Sequence, residues 1–276
     1  MKTFPITLST LILIMICTTE YAQKVAPVLS DTDKTALEGI IVEKYHIAGP
    51  QDYADTLGGT LPKGAVTYRI YVDMKPGYSL QLVYGNSKHE LKLQTSTKFY
   101  NNKYCGALIG YNVNFIKINK GNYSLDSWIT MNSATKGHAG ILLADDKDGS
   151  IITNKTDLTE RDGLTNANLP WIKPFNINLG FFDNADSASL FSTRNGGWAA
   201  LSGTAHAGTF GPTADNRVLI AQLTTNGDLS YELNIQLGTP NGGTVQFVSN
   251  NPEGNEIAFK NLAGSITKDQ KNTGIR

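Results

Sequence analysis

Leu229-Ser230-Tyr231-Glu232-Leu233-Asn234-Ile235-Gln236-Leu237 alternates between apolar and polar side chains at every position. The run follows Asn226-Gly227, a dipeptide that favours the tight turn of a β-hairpin. A period of two is typical of a strand with one buried and one solvated face. Residues 229–237 therefore predict one half-buried strand in an antiparallel β-protein.

Strand-like segments of the same kind recur along the rest of the chain. In one of them Tyr68, Ile70, Val72 and Met74 fall on one face, and Pro76-Gly77 ends the segment. The candidate strands are 39–47, 67–74, 79–84, 90–97, 125–131, 140–144, 175–182, 197–205, 217–225, 229–237 and 244–248. Short strands separated by turn residues are typical of sandwiches and barrels. The predicted fold class is all-β, an antiparallel β-sandwich that is jelly-roll-like or immunoglobulin-like.

Composition divides the chain into regions. Residues 23–34 are polar and predict a flexible lead-in, 35–264 predict the β-sandwich domain, and 265–276 are polar and charged and predict a disordered tail. Within the domain, 153–174 is the longest stretch without alternation, so a subdivision or a functional loop is expected there. No helical period extends beyond a turn near 31–37, which disfavours enzyme folds built from alternating strands and helices.

Residues 1–22 have the layout of a cleaved signal peptide. The apolar segment from Leu8 to Ile16 is shorter than the ~20 residues that a membrane-spanning helix needs. We expect cleavage after Ala22, a secreted or cell-surface product, and no transmembrane segment in the mature chain. Cys105 would then be the only cysteine left, so no intramolecular disulfide could form and stability must come from a hydrophobic core.

The charge of the chain is balanced. Lys and Arg together number 24, as do Asp and Glu, and no long basic run occurs. A nucleic-acid partner is therefore not expected. The 27 glycines, with many Asn, Thr and Ser residues, are typical of turn-rich extracellular β-proteins.

The acidic turn 145–149 is the first place to look for a metal, because calcium prefers closely spaced carboxylates in a glycine-bent loop. Aligned on Gly149, however, a calcium loop would begin at Ala144 and end at Lys155, where acidic residues are required. An ordinary turn with Asp residues capping backbone amides explains the sequence better.

The four histidines, His46, His89, His138 and His206, lack the three-to-five-residue spacing of a local zinc motif. Most of them are interpreted as surface or turn residues. The repeated tripeptide His-Ala-Gly at 138–140 and 206–208 makes His138 and His206 the one pair that could meet in space. No metal and no cofactor are predicted.

Catalytic signatures are weak. The serine-nucleophile motif Gly-x-Ser-x-Gly does not occur, and Cys105 has no flanking signature of a catalytic thiol. Glycoside hydrolysis needs two carboxylates, which a β-sandwich can draw from distant strands. Asp73 and Asp126 are candidates, although a solvated position on a strand is the simpler interpretation of each. No catalytic residue is predicted.

Tryptophans give the one hint of a ligand. Trp171 lies in a segment bracketed by prolines, and Trp198 follows Asn195-Gly196-Gly197, so either indole could be an exposed platform that stacks on a sugar ring. Trp171 and Trp198 are therefore the candidate binding residues. The competing interpretation of both is core packing or loop anchoring, and Trp128, inside an apolar strand, is expected in the core.

Two segments carry a resemblance to known proteins. They are Thr67–Met74 leading through Tyr84-Gly85-Asn86 to Leu125–Trp128, and Asp215–Gly227 running into Leu233–Gln236. The chain resembles an uncharacterised group of secreted, β-rich bacterial surface proteins. The resemblance implies export and an extracellular or surface setting, and it carries no catalytic residues.

The leading functional hypothesis is a non-enzymatic extracellular or cell-surface module that binds a polysaccharide or another surface component. One alternative is a secreted polysaccharide hydrolase, which would need two carboxylates in one cleft. The other is a purely structural module.

Overall fold

The computed structural model describes residues 29–104, 106–147, 161–167, 169, 171–182, 189–201 and 208–269, with the backbone alone at 171 and 201. The predicted signal peptide and Cys105 lie outside these residues. The described strands are β1 (Leu37–Ile47), β2 (Val66–Met74), β3 (Ser79–Tyr84), β4 (Leu91–Thr95), β5 (Trp128–Ile129), β6 (Ser133–Thr135), β7 (His138–Gly140), β8 (Leu164–Asn166), β9 (Trp171–Phe175), β10 (Leu190–Thr193), β11 (Gly197–Leu201), β12 (Arg217–Thr225), β13 (Leu229–Glu232), β14 (Asn234–Gly238), β15 (Thr244–Val248), β16 (Ile257–Ala258) and β17 (Ala263–Ile266). Two short helices, α1 (Asp31–Lys34) and α2 (Pro50–Ala54), and 3₁₀ turns at Gly110–Asn112, Phe115–Lys117, Tyr123–Leu125, Leu179–Phe182 and Lys260–Leu262 accompany them.

The predicted all-β class is confirmed, since the strands form several sheets that are antiparallel apart from the pair β15–β16. The first sheet has the order β1-β2-β12-β5 and the second β16-β15-β14-β3-β11-β9. The third sheet has the order β10-β4-β13-β17, and the small fourth sheet β6-β7-β8. Within the described residues, none of these sheets closes on itself.

One hydrophobic core joins the three larger sheets. Its members include Val72 and Ile220 from the first sheet, Ile235 from the second, and Leu93 and Tyr231 from the third. The alternation that predicts the strands of these five residues supplies the core, because every second side chain of a strand points to one face. The core therefore draws on segments from the whole length of the described chain.

The run 229–237 is extended, as predicted, but it is divided between two sheets. β13 pairs with β4 and β17 in the third sheet, and β14 pairs with β3 and β15 in the second. At the junction the amide of Leu233 donates to the carbonyl of Leu262, and the Asn234 side chain donates to the carbonyls of Tyr84 and Glu90. The alternation of apolar and polar residues in the sequence continues through the junction, although the polar Asn234 is itself buried there. The sequence pattern alone therefore does not reveal the change of sheet.

Three predicted strands are wrong over part of their length, and in two of them a short 3₁₀ turn takes the place of extended backbone. In the predicted strand 125–131 a 3₁₀ turn over Tyr123–Leu125 precedes the two-residue β5, and in 175–182 a 3₁₀ turn occupies Leu179–Phe182. Predicted strand 140–144 lies beyond β7, which ends at Gly140.

The ends of the folded region also differ from the prediction. Part of the expected flexible lead-in forms α1, whose N-cap Ser30 accepts a hydrogen bond from the Asp33 amide while the Asp33 carboxylate accepts from Ser30. This reciprocal capping box satisfies amides that a short helix leaves unpaired. At the other end β17 passes the expected boundary at 264 and buries Ile266. No helix of the described part is long and apolar enough to cross a membrane.

Candidate functional site

A cleft of about 350 Å³ opens where β9 and the following turn meet strand β10. β10 is at an edge of the third sheet, so one side of its backbone is not covered by a neighbouring strand of that sheet. The cleft is lined by Asn176, Ile177, Asn178, Gly180, Phe181, Leu190, Phe191, Ser192 and Thr193. Its volume is within the range of sites that hold small molecules.

Side-chain amides shape the turn that forms one wall of the cleft. Asn176 adopts a positive φ of 49°, a conformation that asparagine tolerates better than most residues, and its amide donates to the carbonyl of Asn195 at 3.1 Å. The Asn178 Oδ1 accepts from the amide of Gly180 at 2.9 Å. The first bond holds the turn against the hairpin between β10 and β11, and the second is internal to the turn.

Aromatic rings form the apolar side of the cleft. Phe181 packs edge-to-face against Phe99, Phe182 and Phe191, with ring centroids 5.9, 5.0 and 5.7 Å away. Phe191 is buried and packs in turn against the Trp198 ring at 6.2 Å. Edge-to-face pairs of this kind favour a fixed arrangement of rings, so the half-buried Phe181 is held at the cleft by the core.

Trp198, one of the two predicted binding residues, is fully buried. Its indole Nε1 donates to the carbonyl of Thr130 at 2.9 Å. The indole therefore offers no exposed face to a sugar ring, and the competing interpretation of core packing fits it. Trp198 supports the cleft from behind, through Phe191. Trp128 is buried as expected.

Trp171, the second predicted binding residue, is at the start of β9, where its backbone pairs with Leu201. Its side chain lies outside the described part of the structure. β9 leads directly into the wall of the cleft. The predicted binding residue Trp171 therefore belongs to the strand that precedes the lining residues.

The described lining can bind a neutral polar molecule. It offers side-chain amides, two hydroxyls and apolar surface, and none of its nine residues is ionisable. Amides and hydroxyls both donate and accept hydrogen bonds, which matches the groups that a sugar presents. No carboxylate of the described lining is placed to act as a general acid or base.

The candidate carboxylates Asp73 and Asp126 are not brought together. Asp73 pairs with Arg217 at the start of β12, whereas the carbonyl of Asp126 accepts from the side chain of Gln222, five residues further along that strand. This separation corresponds to roughly 16 Å at a rise of about 3.3 Å per residue. Catalytic carboxylates in glycosidases are about 5–10 Å apart. Asp126 is also buried, and its oxygens accept from the amides of Asn102 and Ala107.

The described residues of the acidic turn form an ion pair and hydrogen bonds with neighbouring segments. Asp145 forms an ion pair with Arg217 at 3.0 Å, and Asp146 is buried and accepts from the amides of Asp162 and Gly163. Burial raises the pKa of Asp73, which shares Arg217 with Asp145. Among the residues that the structure describes, no three His, Cys, Asp or Glu side chains could hold a metal ion together.

Two histidines interpreted as surface residues are in fact buried. His46 Nε2 is 2.8 Å from Asp52 Oδ2, and His89 Nε2 is 2.8 Å from Glu256 Oε2. The Asp52 partner is six residues from His46, but Glu256 is distant in sequence, so only the first pair had a local signal. His138 contacts Thr135 through Nδ1, and His206 lies outside the described residues, so the proposed His138–His206 pair stays untested.

A second polar cluster on the outer face of the first sheet was missed by sequence reasoning. Arg69 pairs across strands with Glu43, stacks 3.5 Å above the Tyr45 ring, and donates to Gln222 and to the carbonyl of Gly163. Burial raises the pKa of Glu43 to about 7, although the amide of Leu143 and the charge of Arg69 favour its carboxylate. The cluster fastens residues 141–147 and 161–164 to the sheet, which indicates a structural role.

Glutamine side chains form a ladder on the outer face of the second sheet. Gln246 donates to Gln236 at 3.0 Å, and Gln236 donates to Gln81 at 2.9 Å. The ladder is polar and lies opposite the buried side chains Ile235 and Leu237. The ladder is an alternative polar surface for a ligand, and a variant in it can serve as a control for the cleft.

Comparison of the chain with models of known protein families, with curated proteins and with solved structures gave no match.

Proposed function

We propose that this protein is an exported, non-enzymatic β-sandwich module that binds a neutral glycan. The cleft between the Asn176–Phe181 turn and β10 carries the proposal, because it combines ligand size with an aromatic ring and uncharged hydrogen-bonding groups. The sandwich architecture is supported by the core that the three larger sheets share. Export through residues 1–22, to the cell surface or the medium, is part of the same proposal.

Neutral sugars suit this lining for two reasons. A sugar ring has an apolar face of C–H groups that can lie on Phe181 and Leu190, while its hydroxyls can reach Ser192 and the side-chain amides. Because the described lining residues carry no charge, an ionic ligand would lose hydration without gaining an ion pair there. Binding without hydrolysis follows from the same lining, since hydrolysis needs two suitably placed carboxylates.

The test is depletion of the full-length protein from solution by insoluble neutral polysaccharides, namely cellulose, chitin, xylan and starch, with released reducing sugar assayed in the same tubes. We expect depletion by at least one of them without sugar release. Phe181→Ala should weaken this binding about tenfold or more, because it removes apolar surface that the ligand would cover. Ser192→Ala, at an exposed position of the lining, should weaken it less.

Gln246→Ala is the matched control, since it removes an amide from the outer face of the second sheet and leaves the cleft intact. Binding that is lost in Gln246→Ala and kept in Phe181→Ala would move the site to the glutamine ladder and overturn the cleft. Sugar release would overturn the non-enzymatic proposal in favour of a hydrolase. Failure of every polysaccharide to deplete the protein would overturn glycan binding and favour a structural module.

A further inference from the structure

Three large side chains are exposed in the segment between β4 and β5. Ile116 is 82% exposed, Tyr104 56% and Phe115 38%. Ile116 and Phe115 are adjacent on the 3₁₀ turn Phe115–Lys117. Large apolar side chains grouped on a surface in this way mark sites of interaction.

The turn that presents these side chains is held rigidly. Val113 on one side and Ile118 on the other are buried in a hydrophobic cluster with Trp128. Asn114 caps the turn by accepting from the amide of Ile116 at 3.0 Å, and its own amide donates to the hydroxyl of Tyr123 at 2.6 Å. Buried anchors on both sides therefore fix Phe115 and Ile116 at the surface, and they are not free to fold inward.

Neighbouring contacts make the exposed side chains one surface. The Phe115 ring stacks on His138 with 4.3 Å between centroids, and the Lys117 Nζ is 5.7 Å from the centre of the Tyr104 ring. We call this surface, formed by Tyr104, Phe115, Ile116, Lys117 and His138, the apolar tip.

Exposed lysines are close to the residues of the apolar tip in the sequence. Lys103 precedes Tyr104, Lys120 follows Lys117 in the next turn, and Lys136 is two residues from His138. No described carboxylate forms an ion pair with any of these lysines or with Lys117. Two carboxylates from this part of the fold, Asp55 and Asp126, instead accept hydrogen bonds from backbone amides, and Asp126 is buried.

We infer that the apolar tip is a peripheral docking surface for an anionic lipid bilayer. Apolar side chains that project between lysines match the interface of a bilayer, where they enter the headgroup region while the cations pair with lipid phosphates. Charge complementarity selects an anionic surface over a neutral one. The glycan-binding cleft, lined by other residues, does not take part.

Co-sedimentation of the full-length protein with phosphatidylglycerol-containing vesicles, against pure phosphatidylcholine vesicles, tests this docking. We expect sedimentation with the anionic vesicles that declines as salt is raised, because salt screens the lysines. Ile116→Ser should reduce the partition coefficient by about fivefold or more, since its apolar contact with the bilayer is lost. Lys117→Gln should reduce it by roughly fivefold, the contribution of one lysine near an anionic surface.

Ile47→Ser is the control, because Ile47 is also exposed but belongs to the end of β1 and not to the apolar tip. The wild type and the variants share residues 1–22, so any membrane affinity of that segment is common to all of them. Equal sedimentation of Ile116→Ser and Ile47→Ser would overturn the inference. An effect of Lys117→Gln that is the same on both kinds of vesicle would also overturn it, as would binding to a soluble anionic polysaccharide in the absence of any vesicle binding.

Discussion

Glu43 shows how one position on β1 can make stability depend on pH. It pairs across strands with Arg69 and accepts a hydrogen bond from the amide of Leu143 at 2.8 Å. Burial nevertheless raises its pKa to about 7 from an ordinary value of 4.5. The folded state therefore binds this proton more tightly than the unfolded state, and the stability that the protonated form contributes is lost as the pH rises from about 4.5 to about 7.

We predict that Glu43→Gln removes this dependence. The amide oxygen of glutamine can still accept from Leu143 but does not titrate. The free energy of unfolding of the variant, minus that of the wild type, should rise by on the order of 2 kcal/mol between pH 5 and pH 8. Urea unfolding at a series of pH values measures it, and a difference that stays constant across this range would contradict the assignment to Glu43.

Trp198 gives a second prediction at the same scale. Trp198→Phe removes the hydrogen bond to the Thr130 carbonyl and leaves space beside Phe191. We expect a loss of about 2–3 kcal/mol in the free energy of unfolding, measured by urea unfolding followed by circular dichroism. An unchanged stability would show that the indole is not packed as described.

The two glycines before Trp198 are a sequence signal that fits either a buried strand or an exposed loop. Gly196-Gly197 suggested an exposed loop, but a Cβ on Gly197 would be 2.1 Å from the carbonyl oxygen of Val83. The glycine permits the close approach of two strands. Trp198 therefore lies near the start of β11, which pairs with β3 on one side and β9 on the other, and not on a loop. The partner Glu256 of His89 and the partners Gln222 and Gly163 of Arg69 could not be predicted, because they come from segments more than 90 residues away.

At the scale of the element, the division of 229–238 between two sheets depends on Asn234. Its Nδ2 donates to the carbonyls of Tyr84 and Glu90, at the point where the chain passes from β3 towards β4. The two strand pairs thus change sheets at the same level, and one side chain donates to a carbonyl at the end of β3 and to another just before β4. Periodicity predicts that this segment is extended and which side chains are buried, but it contains no information on which strand pairs with which.

Asn234→Asp tests this role with almost no change of shape. The carboxylate cannot donate to the two carbonyls when it is ionised, so it would place a buried negative charge against them. We predict a loss of at least about 2 kcal/mol in the free energy of unfolding at pH 7. Gln236→Glu on the same strand, at a half-buried position of the outer face, is the control and should cost clearly less. Equal losses in the two variants would show that Asn234 has no special role at the junction.

At the scale of the whole molecule, the first, second and third sheets bury one continuous core, and the Phe191–Trp198 contact connects that core to the cleft. The all-β class could be predicted because alternation is a local property. The cleft could not, because its walls come from a 3₁₀ turn predicted as a strand and from β10, which no candidate strand covered.

A shared core predicts that the described sheets unfold together. If the three larger sheets are one cooperative unit, urea unfolding followed by far-UV circular dichroism, which reports the strands, should have the same midpoint as tryptophan fluorescence. Asn234→Asp, at the junction of the second and third sheets, should lower both midpoints by the same amount, because local damage is transmitted through the common core. Two separate transitions, or a variant that shifts one probe and not the other, would mean that the sheets unfold as independent units.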